Sequence, residues 1–260
     1  MKIPIYVVDA FAEKIFTGNP AAVCPLSEWL DDNLMQKIAA ENNLAETAFI
    51  VNEADGYRIR WFTPVDEVDL CGHATLGSAH VFFNHLGFAE KEITFSSRSG
   101  VLKVRNDGDM LTLDFPTDKI EKVDIPNFLL DALSEKPIET YKGNLDYMLV
   151  FENQKQIEEA KPVFDLIAQS GTRGVIITSK GNDADFVSRY FAPQFGINED
   201  PATGSAHTTL IPYWHNKTGK TEMKAIQLSK RRGYINCKYM GERVEIAGRA
   251  FTYSEGTINI

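Results

Sequence analysis

At 260 residues, with 43% hydrophobic and 24% charged residues, the chain has the composition of a globular protein long enough for two modest domains or one large one. Its formal net charge of -9 argues against nucleic acid as a partner, and its single dense basic run, Lys230-Arg231-Arg232 before Gly233, reads as a solvated hairpin turn. Cys24, Cys71 and Cys237 fit neither a disulfide framework nor a zinc spacing, so the expectation is a reducing, cytoplasmic setting and no metal.

The N-terminus is charged too early for a signal peptide and predicts a strand over residues 3–11. "FTGNPAAV" follows at residues 16–23, then an outer helix over 29–40 behind a cap signal at Ser27. "NLAETAFI", residues 43–50, sets Glu46 among Leu44, Ala45, Ala48 and Phe49. Apolar surroundings disfavour the ionised carboxyl and bring its pKa toward a value useful for proton transfer; the plainer alternative is an exposed glutamate ahead of a strand. Further strands are predicted over 48–51, 57–62, 93–97, 102–105 and 110–115, with hairpin signals at Asp55-Gly56 and Asp107-Gly108. From Leu70 to Ala89 there is no Asp, Glu, Lys or Arg, yet three histidines, Asn84 and three glycines make the stretch too polar for a bilayer. It predicts a helix covered by protein on every side.

After Pro116 the pattern starts again. Outer helices are expected over 128–133 and 158–168, and strands over 147–151, 175–178, 186–191, 225–228, 234–238 and 243–246. A second charge-free stretch, residues 201–216, predicts a second central helix that Pro212 should bend or shorten. The two stretches belong to a longer repeat. Residues 60–87, "RWFTPVDEVDLCGHATLGSAHVFFNHLG", match residues 189–219, "RYFAPQFGINEDPATGSAHTTLIPYWHNKTG", in order: Arg-aromatic-Phe-x-Pro, an acidic loop, Ala-Thr, Gly-Ser-Ala-His. We read a duplicated domain, each copy a sheet curled round a central helix, divided as 1–118 and 119–250.

Two related domains leave a cleft, where ligands commonly bind. Both central helices are expected to begin in small-residue turns, Gly72-His73-Ala74-Thr75 and Pro201-Ala202-Thr203-Gly204, whose free N–H groups and helix dipole suit a small carboxylate. All five histidines lie within the repeat. His80 and His207 are equivalent, which points to a shared structural role, whereas His73 faces Pro201 in the other copy and is the functional candidate. Asp200, ahead of the second helix, is also an ordinary cap.

"FTGNPAAV", "NLAETAF", "VDLCGHATLGSA" and "NEDPATGSA" together resemble the PhzF family, named for an isomerase of phenazine biosynthesis. The resemblance implies a diaminopimelate epimerase-like α+β fold, two pseudo-twofold domains each with a barrel-like, mostly antiparallel sheet around a central helix, and a last strand, 251–260, returning to the first domain. It implies a cofactor-independent isomerase moving a proton on a small cyclic or amino-acid-like carboxylate, with Glu46 as acid/base, His73 and Asp200 as its catalytic companions, and Ser205 binding substrate beside Gly72, Ala74, Thr203 and Gly204. It also implies a homodimer. The rival within this fold is a two-base epimerase or racemase with paired cysteines at the helix starts; Cys71 stands at the first, but its counterpart is about Glu199, and Cys237 is far away in sequence. A binder without turnover is the other alternative.

Overall fold

The first strand, β1 (Lys2–Ala10), runs antiparallel both to β2 (Asn19–Leu26) and to the last strand, β17 (Ala250–Asn259). The computed structural model describes residues 1–260, which divide into two units, Met1–Asp114 with Ala247–Ile260, and Phe115–Ile246. These boundaries fall a few residues before the expected 118 and 250.

In the first unit β2 is parallel to β3 (Glu46–Glu53), β3 antiparallel to β4 (Gly56–Phe62), β4 parallel to β6 (Glu92–Ser97), and β6 antiparallel to β7 (Gly100–Asn106). β7 is antiparallel to β8 (Leu111–Pro116), and the two-residue β5 (Glu67–Val68) adds to β4. The central helix α2 (Gly72–Asn84) touches β1, β2, β3, β7 and β17, so the sheet curls around it. Gly72 through Ala79, Val81 and Phe82 are all buried, which accounts for the absence of charge. Its buried hydroxyls bond within the helix, Thr75 to the Cys71 carbonyl and Ser78 to that of Ala74. The turn into β2 depends on Gly18, in the left-handed region at φ 69°, where a Cβ would stand 2.2 Å from the Ala10 carbonyl oxygen. The outer helix α1 (Asp32–Asn42) starts later than expected because Asp31, not Ser27, is its cap, accepting the Asn33 N–H at 3.0 Å. Met35, Ile38 and Ala39 pack it against Ile3, Cys24, Phe49 and Phe62.

The second unit repeats this pairing. β11 (Asp146–Val150) is parallel to β12 (Gly174–Lys180), β12 antiparallel to β13 (Phe186–Phe191), β13 parallel to β14 (Glu222–Gln227), and β14 antiparallel to β15 (Gly233–Tyr239). That is the pattern of β2, β3, β4, β6 and β7. A turn closed by Met240 N–H to Arg243 C=O, 2.9 Å, leads into β16 (Arg243–Gly248). At the other side β9 (Glu121–Lys122) and β10 (Glu139–Lys142) extend the sheet beyond β11. The short outer helices α3 (Asn127–Asp131), α4 (Gln154–Glu159) and α5 (Phe164–Ile167) bury Leu129, Ile157 and Ile167 against Leu149, Val175, Ile177 and Phe191. The single helix expected over 158–168 is thus two pieces, broken at Pro162, and α4 begins earlier at an Asn153–Gln156 capping box.

The central helix of this unit, α6 (His207–Thr218), also starts later than expected. Residues 204–209 form i→i−3 bonds instead, His207 to Gly204, Thr208 to Ser205 and Thr209 to Ala206. Pro212 cannot donate to the Thr208 carbonyl, which takes the Asp118 N–H at 3.2 Å, and the helix continues through the proline to Gly219. Trp214 ties it to the sheet, donating to Thr178 at 3.0 Å and stacking on Phe186 at 5.6 Å. Both copies keep one clasp. Arg60 Nε and Nη2 grip Glu67 at 2.7 Å each, and Arg189 Nε and Nη2 grip Glu199 at 2.7 and 3.0 Å. Each guanidinium lies over the phenylalanine two residues on, Phe62 at 5.2 Å and Phe191 at 5.1 Å.

Candidate active site

Three polar residues meet at the start of α2. Helix α1 ends on Asn43 in the left-handed conformation, φ 48°, and three residues later Glu46 opens β3, opposite Ala21 of β2. Glu46 is 8% exposed, which removes the reading of an exposed glutamate ahead of a strand. His73, in the first turn of α2, brings Nε2 within 3.0 Å of Glu46 Oε2. Its Nδ1 lies 3.1 Å from the amide nitrogen of Asn19, a fully buried residue at the start of β2, and 3.4 Å from Cys71 Sγ. Glu46 Oε2 is thus buried in an ion-pair contact with the imidazole.

The electrostatics separate these groups. Burial works to lower the His73 pKa, but Cys71 and the Glu46 carboxylate more than offset it and hold it well above 6.5. Burial, with the Glu46 charge behind it, pushes the Cys71 thiol up to about 11, so it stays a thiol at neutral pH. Cys71 caps α2 without a side-chain bond to the first turn, leaving the Gly72, His73 and Ala74 N–H groups ahead of the first ladder bond, Thr75 N–H to Cys71 C=O at 3.1 Å.

Glu46, Cys71 and His73 are also a metal-ligating trio, with ligand atoms within 4.8 Å of one another. Glu46 sits at Nε2, however, and Cys71 Sγ is nearer Nδ1, at 3.4 Å against 4.0 Å to Nε2. The same three groups have the chemistry to share an ion or to exchange a proton.

In the second unit, Asp200, Thr203, Gly204 and Ser205 lie together. The Thr203 hydroxyl donates to Asp200 Oδ2, and the fully buried Gln227 locks the loop. Gln227 accepts the Thr203 N–H at 2.8 Å and donates to the Asp200 carbonyl at 2.7 Å and Thr203 Oγ1 at 3.0 Å. Ser205 Oγ accepts from Arg173 Nη1 at 3.0 Å. Glu199 is held by Arg189, so no second base stands where a paired thiol would be. The paired histidines both serve structure: His207, fully buried, donates Nδ1–H to the Thr203 carbonyl at 2.8 Å, and His80 Nε2 meets Thr252 of β17 at 3.0 Å. Asn19, Arg173 and Gln227 went unnoticed in the sequence; only Asn19 carried a signal, its place inside "FTGNPAAV".

Comparison with known proteins places the chain in a family. The family model described as phenazine biosynthesis-like protein, PhzC-PhzF, matches residues 8–256. A Pseudomonas aeruginosa protein described as an uncharacterized isomerase is 48% identical over 260 residues, covering 100% of both chains. The crystal structure of a PhzF family protein from Enterococcus faecalis superposes with a TM-score of 0.96 at 44% identity, again over 100% of both chains. A hydroxyproline epimerase from Agrobacterium vitis, at 10% identity, TM-score 0.64 and coverage of 99% and 92%, shares the fold alone. The chain belongs to the PhzC-PhzF family of phenazine biosynthesis-like proteins, with the epimerase-like α+β fold.

Proposed function

We propose that the chain is an isomerase that shifts a proton between carbons of a small carboxylate without a cofactor. The observation that carries the reading is the buried pair of Glu46 and His73, with Oε2 3.0 Å from Nε2. In this reading the Glu46 carboxylate takes a proton from a carbon of the substrate. The C–H bonding pair enters the conjugated system, and the resulting carboxylic acid returns the proton to another carbon, so nothing is oxidised or reduced. His73, whose pKa is raised well above 6.5, steadies the Glu46 carboxylate before the first transfer and again after the second. Asp200 acts with them, and Gly72, Ala74, Gly204 and Ser205 supply N–H and O–H donors to the substrate carboxylate, while Thr203, whose N–H and hydroxyl already donate to Gln227 and Asp200, shapes the loop that presents them. Relatives described as isomerases support the reaction class.

The two-base alternative loses its second base to the Arg189–Glu199 clasp and its first to the raised Cys71 pKa. The test is a screen of small cyclic and amino-acid carboxylates for deuterium uptake from deuterium oxide. Glu46→Gln should abolish uptake while keeping affinity, because the amide matches the shape but cannot carry the proton. Full activity in that variant would sink the proposal. The homodimer that the resemblance implies is tested separately by sedimentation.

A further inference from the structure

The second unit builds an elaborate seat for one arginine. Arg173, just before β12, donates Nε to Asp146 Oδ1 at 3.1 Å, Nη2 to Asp146 Oδ2, and Nη1 to Ser205 Oγ at 3.0 Å. The Tyr190 hydroxyl also donates to Asp146 Oδ1, at 3.0 Å, and the Gln194 amide holds the Thr172 and Arg173 carbonyls. Gly174 makes room, since a Cβ there would stand 2.3 Å from the Tyr190 hydroxyl oxygen. The Asp146 side chain is 2% exposed and that of Arg173 25%. An ion pair with Asp146 uses only two guanidinium nitrogens; the third is spent on a serine.

The direction of that third bond has a consequence for the serine. A guanidinium can only donate, so Ser205 Oγ is the acceptor and its own hydrogen must point elsewhere. The hydroxyl donates to no group of the protein, and the N–H groups of Gly204, Ser205 and Ala206 likewise meet no protein acceptor. One short turn thus presents a hydroxyl hydrogen and three amide hydrogens beside a cation, an array of donors suited to an anion.

We propose that Arg173 is the positioning residue for the substrate carboxylate, occupying the Ser205 lone pair so that the hydroxyl donates outward to the anion. The inference rests on the reading that Ser205 meets a carboxylate. Asp146 and Tyr190 fix the guanidinium, and Gly174 admits the phenol that braces them.

Benzoate, a simple carboxylate, is the probe, titrated calorimetrically into the unaltered protein, Arg173→Met, Ser205→Ala and the double variant. The expected result is affinity about tenfold weaker in each single variant, as for a lost charge-assisted bond, with the double variant no weaker than Ser205→Ala alone. Additive losses, or unchanged affinity in Arg173→Met, would overturn the proposal. Because Arg173→Met leaves Asp146 without its partner, a second measurement uses the unaltered protein. The Arg173 side-chain 15N signals should move on benzoate addition together with the Ser205 amide; a moving amide beside a static guanidinium overturns it. Failure of the underlying reading looks different, since benzoate would then leave the Ser205 amide of the unaltered protein unmoved.

Discussion

His73 holds Nε2 3.0 Å from Glu46 Oε2 while its Nδ1 faces Asn19 and Cys71, so one buried ring links a carboxylate to an amide and a thiol. Against burial, Cys71 and Glu46 raise the His73 pKa well above 6.5, which favours the charged imidazole. Turnover that needs this charge should persist at neutral pH and fall only as pH climbs through the raised value. His73→Asn should lower the rate and erase that alkaline limb. A pH–rate profile with the same limb in both proteins would remove His73 from the proton chemistry.

Cys71→Ala should keep most activity, because its thiol pKa is pushed up to about 11 and no second thiol completes a pair. In the native protein at pH 8, iodoacetamide should alkylate Cys71 more than about 100-fold more slowly than in the urea-unfolded chain, where a thiol titrates near its ordinary value. Mass spectrometry of the labelled peptide checks this, and rapid native labelling refutes it.

Gln227→Leu strips the Thr203 N–H and Asp200 carbonyl of their buried partners. We expect a loss of about 2–3 kcal/mol in urea unfolding, as for buried groups left unsatisfied, together with weaker benzoate binding. A variant as stable as the parent would show that the loop finds other partners.

Acid should destabilise the protein through two histidines. Burial lowers His207 to about 4, and burial followed by the nearby His85 lowers His80 to about 4, from an ordinary 6.5. The unfolded chain then binds more protons between these values, so both contributions are whole above pH 6.5 and are lost as pH falls toward 4. The slope should approach about 1.4 kcal/mol per pH unit for His207 and be smaller for His80, which solvent reaches. His207→Gln should flatten the curve of unfolding free energy against pH, and an unchanged slope would contradict the assignment.

What was legible in the sequence is what repeats locally. The charge-free central helices, the duplicated Arg-aromatic-Phe-x-Pro ends and the Asp-Gly turns are patterns within a few residues, and all mark real elements. Strand β2 escaped because Ala21, Ala22, Val23 and Cys24 are buried in succession, so it has no alternation to detect. The start of α6 was misplaced because "GSA" lies mid-helix in the first copy and in a tight turn in the second, where Pro212 disturbs the bonding. In the candidate site, Glu46 and His73 stand in compact motifs. Arg173 and Gln227 reach Ser205 and Thr203 from 32 and 24 residues away along the chain, a relation that only the folded sheet creates.

The clasps Arg60–Glu67 and Arg189–Glu199 suggest how one ancestral domain could acquire two trades. Each clasp anchors its strand end against a phenylalanine and pins an acidic residue partway along the connection to the central helix, leaving a short stretch of loop beyond it. Variation in that loop is thereby insulated from the core, and the copies diverged there: one loop leads to Cys71 and His73, the other to Asp200 and Ser205. Exchanging the loops between the clasps should therefore transplant chemistry while leaving both barrels standing, which makes the duplicated scaffold a natural chassis for engineered isomerases.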